Sequence, residues 1–150
     1  MDKGLTARAF TTINVPNAKV WEALTDPEII RQYRYGAETV SNWKEGSDIV
    51  WKGEWEGMKY EDKGVILAIE PGYTLRYSHF STLAGVPDVL ENYHTVTYTL
   101  SNEDDYSFSK EEEETFISLT QDNNADEKAL ENSQKMWETL LTDLKKILEK

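Results

Sequence analysis

The chain has 150 residues, the size of one domain with one substantial core, and its 16 Lys plus Arg against 28 Asp plus Glu give a formal net charge of −12. That field repels polyphosphates and anionic surfaces, so neither nucleic-acid binding nor membrane binding is expected. The absence of cysteine removes disulfides, thiol catalysis and cysteine-based zinc sites, while 5 Trp and 8 Tyr supply ample material for a packed core.

Leu5, Ala7, Ala9, Thr11, Ile13 and Val15 alternate with more polar residues, the period of a half-buried strand. The opening Met1 to Leu5 carries no charged segment leading into an apolar one, so no secretory signal is expected, and a cytoplasmic protein is the simplest reading. Pro16-Asn17 ends the strand. Ala18 to Leu24 reads as a short helix with Val20, Ala23 and Leu24 on one side. In Thr25-Asp26-Pro27-Glu28 the spacing of Thr25 and Glu28 suggests a capping box, and Pro27 suits the first turn of a second helix. Gly36 is placed to stop that helix.

From Ala37 the pattern becomes β. Thr39 to Trp43 reads as a short strand. Ile49, Trp51 and Trp55 share a face of the next, and Glu56-Gly57 is a plausible two-residue hairpin connection. Lys59 to Ile69 returns as a longer strand. Glu70-Pro71-Gly72-Tyr73 carries Pro then Gly in the order of a type II turn. Leu75, Tyr77 and His79 share one face of the following strand. Ser81 to Glu91 reads as a loop; His94, Val96, Tyr98 and Leu100 line the next strand. Ser101 to Glu113 is acidic and is expected to be an exposed connection; Thr115, Ile117 and Leu119 line the last strand. Asn124 and Glu127 stand at capping-box spacing ahead of an amphipathic helix carrying Leu130, Trp137, Leu140, Leu141, Leu144, Ile147 and Leu148. A stripe that long needs a sheet to cover it. The fold class is therefore α+β: a curved antiparallel sheet of six to seven strands around a long C-terminal helix, with two short helices after the first strand, all in a single domain over residues 1–150.

Parity also suggests a site, because strand residues two apart share a face. The only two histidines, His79 and His94, share faces with apolar residues on consecutive strands, so both should point inward and lie near each other. They would be a polar handle or an acid/base pair, or else strand-end histidines bonded to backbone or water. Trp51, Trp55, Tyr77 and Tyr98 are inward aromatic candidates, either a ligand-binding wall or plain core. Ile117 and Leu119 are further candidates for the wall, and Trp137 is either core or the cavity floor. No phosphate-binding glycine loop, hydrolase elbow or metalloprotease helix motif is present, and the acidic cluster lacks calcium-loop spacing, so no cofactor and no metal are expected.

Four strings carry a resemblance. They are VWEALTDPE within Ile13 to Glu28, GVILAIEP over Gly64 to Pro71, TVTYTL over Thr95 to Leu100, and the Trp137 to Leu148 helix with its W-x-x-x-L-x-x-L spacing. In this order they resemble the START-like, or SRPBCC, superfamily with its helix-grip fold, and within it the activator of heat shock protein 90 ATPase homologue family. The chain departs from that pattern at Tyr33, where the family often has Trp. The resemblance implies a cavity under the helix. Three functions follow as expectations: non-enzymatic binding of a small apolar or amphipathic molecule, a module that assists a chaperone, or an enzyme of the cyclase or hydratase type.

Overall fold

The period-two segments form seven strands, β1 (Ala7–Ile13), β2 (Glu38–Ser41), β3 (Asp48–Trp55), β4 (Met58–Glu70), β5 (Thr74–His79), β6 (His94–Ser101) and β7 (Thr115–Gln121). The helical segments are α1 (Asn17–Thr25), α2 (Pro27–Tyr33) and the 22-residue α3 (Glu127–Leu148). The structure is a computed structural model that describes residues 5–101 and 114–150. The acidic connection 102–113 lies outside the described residues. All strands pair antiparallel in one curved sheet of order β1-β7-β6-β5-β4-β3-β2. This is the helix-grip arrangement: the sheet curls and α3, about 33 Å long at 1.5 Å per residue, lies in its concave face.

The turn chemistry follows the sequence closely. Glu56 and Gly57 both take positive φ between the paired Trp55 and Met58, as a two-residue hairpin of the favoured twist requires. Gly72 has φ +84, and the Tyr73 amide donates to the Glu70 carbonyl at 2.9 Å, as the type II turn demands. Gly64 is needed for another reason: a Cβ there would stand 1.6 Å from the Ser78 carbonyl oxygen. A register shift follows between Ile66 and Ala68, which bends β4 over the helix.

Both expected capping boxes are corrected. Asp26, not Thr25, caps α2 by accepting from the Glu28 amide at 2.9 Å. Thr25 instead donates back to the Trp21 carbonyl at 3.0 Å. Asp126, not Asn124, caps α3 by accepting from the Ala129 amide at 2.8 Å. Asn124 is 1% exposed and ties three segments together: its amide donates to the carbonyls of Leu5 and Gln121, and its oxygen accepts from the Ser133 hydroxyl. The short side chains fit both positions; burial decides which role each takes. The loop after β5 is also more ordered than a plain loop, with 3-10 turns at Thr82–Ala84 and Leu90–Asn92.

The core divides along α3. Its C-terminal half packs Leu141 and Leu144 onto Ala7, Ala9, Ile13, Ile117 and Leu119, all buried. The face that its N-terminal half turns to the sheet carries Ala129 and Ser133, with Met136, Trp137 and Leu140 following at helical spacing. Alanine and serine do not fill the distance between a helix and a sheet. The space they leave is a cavity.

Candidate functional site

The cavity has a volume of about 530 Å³ and opens between the first half of α3, the inner ends of β4 to β7 and the segment 80–92. Its volume lies within the range of small-molecule sites. Alternation along β4 turns Tyr60, Asp62, Gly64 and Ile66 to one face, and the first two reach the cavity. His79 and His94 are paired directly across β5 and β6, ring centroids 6.5 Å apart, and both line the cavity.

Each histidine is fixed by one hydrogen bond. His79 Nε2–H donates to Asp62 Oδ2 at 3.0 Å. Burial pushes the His79 imidazole below its ordinary pKa, and the Asp62 carboxylate opposes that only in part. The ring is therefore neutral at pH 7, with its proton on Nε2 and a lone pair on Nδ1. His94 Nδ1–H donates to the Asp122 carbonyl oxygen at 2.9 Å, a tautomer assigned from that acceptor. The second Asp62 oxygen, Oδ1, is buried with no hydrogen-bond partner.

At the inner end stands Arg34, at the C-terminal cap of α2. Its amide still donates to Ile30, but Tyr35 and Gly36 then adopt positive φ, turning the chain abruptly into β2. The Arg34 guanidinium carbon lies 5.4 Å from the Trp51 ring centroid and 5.6 Å from that of Trp137. Two such cation–π contacts are each worth about 0.5–2 kcal/mol, less than the effective penalty of several kcal/mol for desolvating a charge. Arginine nevertheless keeps its charge at any working pH. Among the described residues, no Asp or Glu oxygen lies within the 4.0 Å ion-pair distance of Arg34; the ion pairs are Arg31–Glu28, Lys63–Asp88, His79–Asp62 and Lys145–Glu149. The neighbouring Tyr77 hydroxyl is buried beside Arg34 and Tyr98 and, among the described residues, makes no hydrogen bond of ordinary geometry. Burial above all raises the Tyr33 and Tyr98 hydroxyls well past the ordinary phenol range, so both stay neutral.

The expected site residues divide accordingly. His79, His94 and Trp137 line the cavity. Trp51, Tyr77 and Tyr98 are buried one layer deeper, around a void of about 10 Å³ that Arg34 also touches. Their rings pack in series at tilted angles, with centroid distances of 4.9 Å from Trp51 to Tyr77 and 6.2 Å from Tyr77 to Tyr98, and so form the packed wall behind the guanidinium. Ile117 and Leu119 are wholly buried beneath the other half of α3 and do not line the cavity. Trp55 is a correction. It shares its parity with Trp51, but the β3–β4 hairpin runs on past the edge of the core, so Trp55 is 49% exposed and meets Tyr35 edge-on. Arg34 and Asp62 were missed by sequence reasoning.

The mouth is built by the segment after β5. Asp88 holds it in place, pairing with Lys63 and accepting from the Tyr93 hydroxyl at 2.7 Å. Phe80 stacks on Tyr93, and Asn123 donates to the carbonyls of Glu91 and Tyr93. Among the described residues, the cavity offers one fixed cation, one buried carboxylate oxygen without a partner and two imidazoles with assigned tautomers, set in largely apolar walls. Among the described residues no group of three or more metal-ligating side chains converges, and no helix is long and apolar enough to cross a membrane.

A family model described as Activator of Hsp90 ATPase homolog 1-like protein matches residues 14–149. A Cytophaga hutchinsonii protein solved in solution is 52% identical, with a TM-score of 0.81, over 99% of this chain and 97% of that one. A Mesorhizobium loti protein solved by X-ray crystallography (22% identity, TM-score 0.71) and the Aha1 dimer from Colwellia psychrerythraea solved in solution (18%, 0.70) share the fold, each over 96% of both chains. No curated protein matches the chain. With the matched segment running from before α1 to the end of α3, the chain belongs to the Activator of Hsp90 ATPase homolog 1-like protein family.

Proposed function

We propose that the protein is a non-enzymatic binder that holds one small amphipathic molecule in the cavity beneath the N-terminal half of α3. The observation that carries this reading is the cavity itself: about 530 Å³ left open by Ala129 and Ser133, with polar groups gathered on its β4 to β6 side. Native interiors are close-packed, so a space of this size is a feature that the sequence maintains. Native mass spectrometry of freshly purified protein tests it, with a co-purified small molecule as the expected result. Ala129→Phe fills the cavity from the helix side, so it should abolish that adduct while the far-UV circular dichroism is unchanged. An adduct that persists in Ala129→Phe places the ligand elsewhere.

A chaperone-assisting role is the second reading. It is favoured by the family name and by one surface feature. Leu83, Val86, Val89 and Leu90 are exposed along the mouth segment, Leu90 at 88%. Such a cluster is a common mark of a docking surface. Addition of the protein to purified Hsp90 should then raise its ATPase rate, and Leu90→Ser should remove the effect.

A further inference from the structure

We infer that the ligand is an amphipathic organic acid, its anionic head on Arg34 and its apolar body along the α3 side of the cavity. The inference rests on the cavity-binding reading and adds the chemical class of the occupant. Three observations carry it. Among the described residues, Arg34 is the only Lys or Arg lining the cavity. It has no carboxylate partner within ion-pair distance among the described residues. Its guanidinium lies near the faces of two indoles, Trp51 and Trp137. Ring faces compensate the charge without engaging the N–H edge, which is the part that recognises carboxylates and related anions in a forked geometry.

The cavity also contains carboxylates, and these have to be weighed against Arg34. Glu91 lies exposed at the mouth, where water screens it. Asp62 is deeper, but one of its oxygens is occupied by the His79 N–H. The other, Oδ1, lacks a donor and suits a hydroxyl or amine on the same ligand. An uncharged apolar molecule would leave both the Arg34 guanidinium and Asp62 Oδ1 unsatisfied.

A matched pair of fluorescent probes tests this: 1-anilinonaphthalene-8-sulfonate and its uncharged analogue N-phenyl-1-naphthylamine, titrated into the full chain. Both should bind the wild type. Arg34→Gln should weaken the sulfonate by about tenfold or more, the worth of a lost charge-assisted hydrogen bond, and change the amine by less than about twofold. If neither probe binds the wild type, the cavity-binding reading fails and this inference fails with it. If both bind but Arg34→Gln weakens them equally or not at all, the cavity is a binding site and the anionic class is wrong. Should Arg34→Gln not fold, the wild type answers alone. Decanoate should then displace N-phenyl-1-naphthylamine at lower concentration than decan-1-ol, and equal displacement overturns the proposal.

Discussion

His79 and Asp62 form a half-buried pair in which the protonation of the imidazole is set by opposing forces, and each can be moved separately. Burial lowers the His79 pKa below 6.5, and Asp62 holds it up. The folded state thus binds fewer protons than the unfolded state over the window between the two pKa values. Stability contributed by His79 is present in full above the unfolded value and falls as pH drops through 6.5 towards the folded one. An NMR titration should place the His79 midpoint below 6.5, and Asp62→Asn should move it lower still, since it removes the group that raises it. An upward move would mean that the carboxylate does not hold the ring. Much of this site was legible. Parity paired the two histidines, and the same parity, carried back along β4 from Ile66, reaches Asp62 and Tyr60. Arg34 was not legible. It follows a helix and precedes two residues of positive φ, where neither the helical nor the strand period indicates which way a side chain points.

The ends of the helices show how an element can be read correctly while its stop and start signals are misread. Asn124 and Asp126 both resemble caps in sequence, yet they do different work, and their removal separates the two. Asp126→Ala should cost about 1 kcal/mol, the value of an N-cap. Asn124→Ala should cost about 2–4 kcal/mol, because at a wholly buried position it removes three side-chain hydrogen bonds at once, to the Leu5 and Gln121 carbonyls and from the Ser133 hydroxyl. Urea denaturation distinguishes these; equal costs would make Asn124 a second cap. Leu144→Ala should cost about 2–5 kcal/mol, since Leu144 is wholly buried in the helix–sheet seam. That seam follows from the spacing of α3 alone. The cavity does not, because an interval of small residues on a helix face reads equally as close packing until the distance to the sheet is known.

On the scale of the whole molecule, a strongly acidic chain surrounds an internal cation, Arg34, that has no carboxylate partner among the described residues, and the two act on an anionic ligand at different ranges. The net charge of −12 repels such a ligand on approach. At about 10 mM salt the Debye length is roughly 30 Å, as large as the molecule, so the repulsion extends well into solvent; at 150 mM it shrinks to about 8 Å. Contact with Arg34 is made inside the cavity, where screening is weaker. Association and dissociation should therefore respond differently to salt. Stopped-flow binding of 1-anilinonaphthalene-8-sulfonate should show an association rate that rises between about 10 and 150 mM salt, while the dissociation rate changes little. N-phenyl-1-naphthylamine, uncharged, should show no such rise. The trend is opposite in sign to that of a basic protein capturing an anion. Slower association of the sulfonate at higher salt would mean that a local positive field at the mouth outweighs the net charge. The lining residues argue against that, since Glu91 stands at the entrance and Arg34 at the inner end.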